Sequence, residues 1–229
     1  MAILNEKKKV SLLVILSVIA CIIMFFIEKY LHPGFFLKSI LKIAVFLSSV
    51  AIYYKVTKDK FDLLGLKDLN RTNFYRILRL GLVVFIFILI GYYFMKNYID
   101  LDNIKENLLS KEGITKDNFI FVSIYISVVN SLLEEFFFRG HIFGKLKSLN
   151  YKKLGYIFSP ILFSLYHIAI IDSWFTPALF GLFVIGLVVV GVFFNFIMEK
   201  ANSFLAPWIV HAFANLGINT IGFIMLGVL

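Results

Sequence analysis

Polar positions are rare along most of this chain, and the long stretches between them set its architecture. Apolar residues gather into seven blocks, at about 10–27, 36–54, 77–95, 118–138, 156–171, 175–198 and 204–229. A helix needs about 20 predominantly apolar residues to cross the hydrocarbon core of a bilayer. The pattern therefore predicts an all-α fold, a polytopic transmembrane bundle of about seven helices. Lys38 and Lys42 interrupt the start of the second block, and their long stems predict snorkelling to the interface. Ser159-Pro160 reads as an N-cap followed by a first-turn proline, and Pro207 as the start of the last helix. The stretch 141–158 is then partly interfacial. No repeat, low-complexity tract or Gly/Ser linker divides the chain.

Composition agrees with the pattern. Of 229 residues 60% are hydrophobic, and the mean hydropathy is +0.89, above that of soluble domains. One membrane region uses nearly all of the length, which leaves no room for a second globular domain. The net charge of +9 comes from 23 Lys and Arg against 14 Asp and Glu. No basic stripe with interleaved aromatics lies outside the spans, so nucleic acid is not an expected partner. Basic loops at the cytoplasmic face account for the charge instead. With the N-terminus inside, 16 of the 23 basic residues fall in inner segments (1–9, 55–79, 139–153 and 199–203). The expected location is thus the cell membrane, multi-pass, with a cytoplasmic N-terminus. Lys7, Lys8 and Lys9 before the first block resemble a signal peptide, but the apolar run is long and lacks a small-x-small cleavage site. It reads as a retained helix. The single cysteine, Cys21, rules out a disulfide framework and a cysteine-rich metal site.

The informative residues are the ionisable ones inside the later spans: Glu134, Glu135 and Arg139, then His167, then His211. Each such group costs about 2.5–3.5 kcal/mol on insertion scales and by default signals function. Helical spacing stacks Glu135 on Arg139 as an i,i+4 ion pair, while Glu134 shares a face with Asn130. In the last helix His211, Asn215 and Asn219 recur every four residues as a polar stripe. Blander readings exist for each: an anchored helix end, a core histidine, interhelical polar contacts. All of them would have to hold together in one short chain. Counted from the ends of the blocks and the two prolines, Glu134, His167 and His211 fall at about 6–11 Å below the inner surface, where they could meet.

At these residues the sequence resembles the CAAX protease and bacteriocin-processing (Abi) family of intramembrane endopeptidases. The family's paired glutamates followed by an arginine match Glu134-Glu135-Phe136-Phe137-Phe138-Arg139. Its phenylalanine four residues before histidine matches Phe163 to His167, and its histidine four residues before asparagine matches His211 to Asn215. Each pattern is weak alone; three in order, each in its own apolar helix, are specific. The resemblance covers roughly 118–220 and divides the chain into N-terminal helices with an outer loop (1–117) and a catalytic membrane domain (118–229). It implies an endopeptidase whose cavity opens toward the cytoplasm. Glu134 and His167 would then match the pair that activates water, and His211 and Asn215 the groups that steady the oxyanion. Glu135 and Arg139 complete the first motif.

Amide hydrolysis needs a nucleophile, a base and donors for the oxyanion, and these side chains supply them. No serine or cysteine is paired with a histidine in these helices, which favours direct attack by water over a covalent intermediate. Zinc stays open as a cofactor: Glu134, His167 and His211 are a ligand set of the catalytic type, although no HExxH helix is present. Other functions of the same chain would be a non-catalytic scaffold or bacteriocin-immunity protein, or a proton-coupled transporter. The last is disfavoured by the lack of repeated halves. The expected partners are the bilayer and a peptide or membrane-protein substrate. Its identity, like the oligomeric state, is not encoded legibly.

Overall fold

A computed structural model describes residues 4–60, 71–171 and 175–229. Residues 61–70, with Lys67 of the basic segment 55–79, lie outside them. The described residues form helices and no strands. We number them α1 Glu6–Leu31, α2 Gly34–Thr57, α3 Arg71–Met95, α4 Leu101–Ser110, α5 Phe119–Ser148, α6 Lys152–Ile171, α7 Pro177–Ala201 and α8 Leu205–Leu226. Six of them (α1, α2, α3, α5, α7 and α8) are long and apolar enough to cross a membrane. The fifth predicted block is α6. The protein is a multi-pass helical membrane bundle.

Local chemistry explains the ends. Asn5 caps α1 by accepting the Lys8 amide at 3.0 Å, and Asp100 caps α4 by accepting that of Asn103 at 3.0 Å. Helix α4 lies within the loop expected at 96–117; Leu101, Ile104 and Leu108 are spaced for one apolar face, too short to show in a search for spans. Lys58 and Asn202 close α2 and α7 in the left-handed conformation.

Two boundaries differ from expectation. Helix α6 begins at Lys152, so Ser159 is no N-cap and Pro160 stands inside the helix. Ser159 instead donates its hydroxyl to the Phe138 carbonyl oxygen at 2.8 Å, tying α6 to α5. Pro160 forfeits a helical hydrogen bond, but packs on Gly191 of α7, where an added Cβ would lie 2.8 Å from the ring. Helix α5 does not stop near Phe138 but runs to Ser148, because Arg139 and His141 are buried rather than leaving the bundle. Glu134, 15 residues from Phe119 and 14 from Ser148, therefore sits at mid-length, not one turn from the inner end. At about 1.5 Å per residue, the 30 residues of α5 exceed the hydrocarbon thickness, so its ends project beyond the bilayer core.

The main core joins α1, α2, α5 and α6 through Leu13, Met24, Phe46, Phe137, Phe138, Phe163 and Tyr166. Phe46 stacks on Phe137 at 4.1 Å between centroids. Helix α3 packs on α8, where Gly81 lies against Phe213 and Gly217 against Ile88, the close approach that small residues permit in membranes. At the basic end Asp59 holds Lys9 at 2.5 Å and Lys145 at 2.6 Å, pinning α1, the end of α2 and α5 together. Partial burial pushes the Asp59 carboxyl up, but bonding and attraction from Lys145 and Lys9 outweigh it and hold it below the usual range. A depressed carboxyl contributes stability above its unfolded pKa and loses it as pH falls through the folded value. Asp59→Asn should therefore cost about 0.2–1 kcal/mol at neutral pH, as paired surface charges do. The difference from wild type should vanish in acid, measured by thermal unfolding in detergent across pH.

Candidate active site

Helices α2, α5, α6 and α8 meet at a single buried polar cluster, to which α5 contributes several side chains. Its centre is Glu134 of α5, 2% exposed. One carboxylate oxygen, Oε1, accepts from Lys42 Nζ of α2 at 3.1 Å and from Asn130 Nδ2, one turn back on α5, at 3.0 Å. Lys42 also reaches Asn130 Oδ1 at 2.6 Å and lies over the Tyr166 ring at 5.0 Å. The other oxygen, Oε2, faces two imidazoles, with His167 Nε2 and His211 Nε2 each 3.8 Å away.

The far side of each ring fixes its proton. His167 Nδ1 is 2.7 Å from the Phe163 carbonyl oxygen, which can only accept. Nδ1 therefore carries the hydrogen, and the neutral ring presents a lone pair at Nε2. The phenylalanine four residues before the histidine thus has a physical role through its backbone, and its side chain packs edge-on against the ring at 4.5 Å. His211 Nδ1 is 2.8 Å from Glu135 Oε1 and donates to that carboxylate. Arg139 donates to the same oxygen at 3.1 Å, and Glu135 and Arg139 are both fully buried. The guanidinium lies over Phe163 at 4.2 Å and Phe194 at 5.1 Å. The two adjacent glutamates therefore differ in environment: Glu135 is committed to Arg139 and His211, while Glu134 turns one oxygen to the two imidazole Nε2 atoms.

Backbone form assists this divergence. From Tyr125 to Asn130 and from Glu135 to Phe143 the chain of α5 is π-helical, with one α turn carrying Glu134 between the two stretches. Such widened turns are rare and concentrate at functional sites, where they re-aim side chains.

Of the residues singled out in the sequence, Glu134, Glu135, Arg139, His167 and His211 come together. Asn215 lies one turn from His211, and its Nδ2 donates to the Ile126 carbonyl oxygen at 3.1 Å. Asn219 likewise donates to the Ser123 carbonyl oxygen and the Ser127 hydroxyl. The polar stripe of α8 thus joins it to α5. Lys42 corrects the sequence reading. It does not snorkel; it is 8% exposed and ion-paired with Glu134. Its signal was present, an ionisable residue two turns into an apolar helix with no partner on that helix. Lys38 also turns inward, to Glu28 at 2.9 Å and Glu112 at 2.6 Å.

Glu134, His167 and His211 carry the right donor atoms for zinc, but the cluster does not suit it. Among the described residues no three or more His, Cys, Asp or Glu side chains are placed to hold a metal ion. The Lys42 ammonium on Glu134 would also repel a cation there.

Residues 116–217 match the family model described as Rce1-like, type II CAAX prenyl endopeptidase Rce1-like. The match spans the three motifs and both imidazoles. No curated protein and no solved structure matches the chain.

Proposed function

We propose that this chain, which through residues 116–217 falls in the CAAX protease family and at that level is an intramembrane protease, hydrolyses peptide bonds with a water activated by Glu134 and His167. The observation that carries the reading is the 3.8 Å separation of Glu134 Oε2 from both Nε2 atoms. That is too long for a direct hydrogen bond and suited to a shared water. A water donating to Glu134 and to the His167 lone pair would keep its own lone pair for the substrate carbonyl. As the C–O bond forms, its proton passes to Glu134. His211, its ring held at Nδ1 by Glu135, turns Nε2 to the oxyanion as a donor; the second amide hydrogen of Asn215 is the other donor we assign. Collapse of the tetrahedral intermediate breaks the C–N bond, and Glu134 returns the proton to the leaving amine. Glu135 and Arg139 are positioning residues, acting through His211. Lys42 balances the charge of Glu134. The substrate class is a peptide or membrane-associated protein.

Cleavage of a peptide library by purified protein tests this. His167→Ala should lose about 10²–10⁴-fold in rate, the usual worth of an acid–base group. Wild-type cleavage should persist with a strong chelator present. Loss of activity on chelation, with recovery on adding zinc, would overturn the metal-free mechanism.

A further inference from the structure

A carboxylate offers two equivalent oxygens, and the torsion that carries it is soft, with a broad two-fold profile. Left to itself, Glu134 would present either oxygen to the imidazoles, or neither. In this bundle its rotation is fixed. Oε1 accepts from Asn130 Nδ2 at 3.0 Å and from Lys42 Nζ at 3.1 Å, while Oε2 faces His167 and His211. The third side of the triangle is the bond from Lys42 to Asn130 Oδ1 at 2.6 Å.

The sense of this ring follows from donor chemistry. An ammonium only donates, so the Asn130 atom beside Lys42 is the amide oxygen. The amide NH2 is then left facing Glu134, and a carboxylate oxygen accepts it. Lys42 thus sets the orientation of Asn130, and the two together hold one oxygen of Glu134. They reach it from two helices. Asn130 ends a π-helical stretch of α5, one turn before Glu134, and Lys42 lies on α2, outside the residues 116–217 that match the family model. The Tyr166 ring of α6 lies 5.0 Å from the ammonium and holds it from the other side. Stability does not explain a lysine here. With Lys42 8% and Glu134 2% exposed, apolar residues of similar volume would often be as stable as the pair.

We infer that Lys42 and Asn130 are positioning residues that act as one clamp on the general base. By occupying Oε1 they leave Oε2, and only Oε2, to take the proton of the attacking water. Helix α2 is therefore part of the catalytic apparatus rather than packing around it. The catalytic half of this inference rests on the peptidase reading; the clamp itself rests on the three hydrogen bonds.

The test compares the full-length chain in detergent as wild type, Asn130→Leu, Lys42→Met and the double variant, with kcat, KM and unfolding temperature measured for each. Asn130→Leu keeps the Lys42–Glu134 ion pair, and with it the fold. Its kcat should fall about 10–100-fold, the usual cost of losing a supporting partner of an active group, with KM little changed. Because the clamp works as a unit, adding Lys42→Met should lower kcat little further. Where variants lacking Lys42 do not fold, Asn130→Leu alone decides. Infrared spectra of protein carrying isotope-labelled glutamate read the carboxylate directly, its bands assigned by their loss in Glu134→Gln. The separation of the asymmetric and symmetric stretches of Glu134 should change in Asn130→Leu. An unchanged kcat in folded Asn130→Leu overturns the inference, as do unchanged Glu134 bands, or losses that multiply in the double variant. Wild type without cleavage would sink the peptidase reading instead, and the infrared bands would still decide the clamp.

Discussion

Glu134→Gln should lower the rate of peptide cleavage by about 10²–10⁴-fold, with KM little changed, because it removes the base and keeps the shape. The amide can still accept from Asn130 at Oε1, but it cannot take a proton from water. A second effect accompanies the loss. Lys42, 3.1 Å from the carboxylate and 8% exposed, would be left as a buried ammonium facing neutral groups. Removing one partner of a buried pair is costly, whereas replacing both can be nearly neutral. The double variant Lys42→Met, Glu134→Gln should therefore regain much of the thermal stability lost by Glu134→Gln and none of its activity. Initial rates and unfolding temperatures of the purified variants in one detergent check both halves. A scaffold would retain partner binding in the single variant and show no cleavage in wild type. Wild-type cleavage undiminished in Glu134→Gln would end the assignment of the base.

How much of this was legible beforehand depends on the range of the interaction. Spans are written in local hydropathy, so seven apolar blocks reappear as the long helices of the bundle. The Glu135–Arg139 pair and the Asn130–Glu134 bond are i,i+4 contacts, and helical spacing alone placed them. The meeting of Glu134, His167 and His211 is not local; the three motifs pointed to it, but only the packing of α5, α6 and α8 gives it distances. Lys42 was misjudged for the same reason. Its partner is 92 residues away, and a lysine near a helix start reads as a snorkelling one until the opposite carboxylate is seen. Pro160 misled because proline in a helix interior is normally excluded, and the glycine that makes room for it, Gly191, is on another helix. The depth of the site differs because of Pro160 and because of where α5 ends. Arg139 and His141 look like the end of a span, yet both are buried by long-range contacts.

The second large effect belongs to stability rather than to chemistry. Arg139→Met should destabilise the protein by about 3–5 kcal/mol, the cost of leaving one charge of a buried pair uncompensated. Glu135 would keep only the His211 hydrogen bond at 2.8 Å, its Oε2 having no other partner, in a place with no exposure to water. The contacts of the guanidinium with the Phe163 and Phe194 rings would go too, although the methionine stem fills part of the volume. If charge is the cause, Glu135→Gln combined with Arg139→Met should restore most of the unfolding temperature. If packing is the cause, the double variant should stay as unstable as the single one. Activity separates the positioning role from both. In the double variant His211 no longer has the carboxylate that holds its Nδ1 and orients the ring, so its contact with the oxyanion is misplaced. Cleavage should then stay low in a folded protein, with kcat reduced more than KM. A folded double variant with wild-type rates at neutral pH would mean that Glu135 and Arg139 serve only to hold α5 in place.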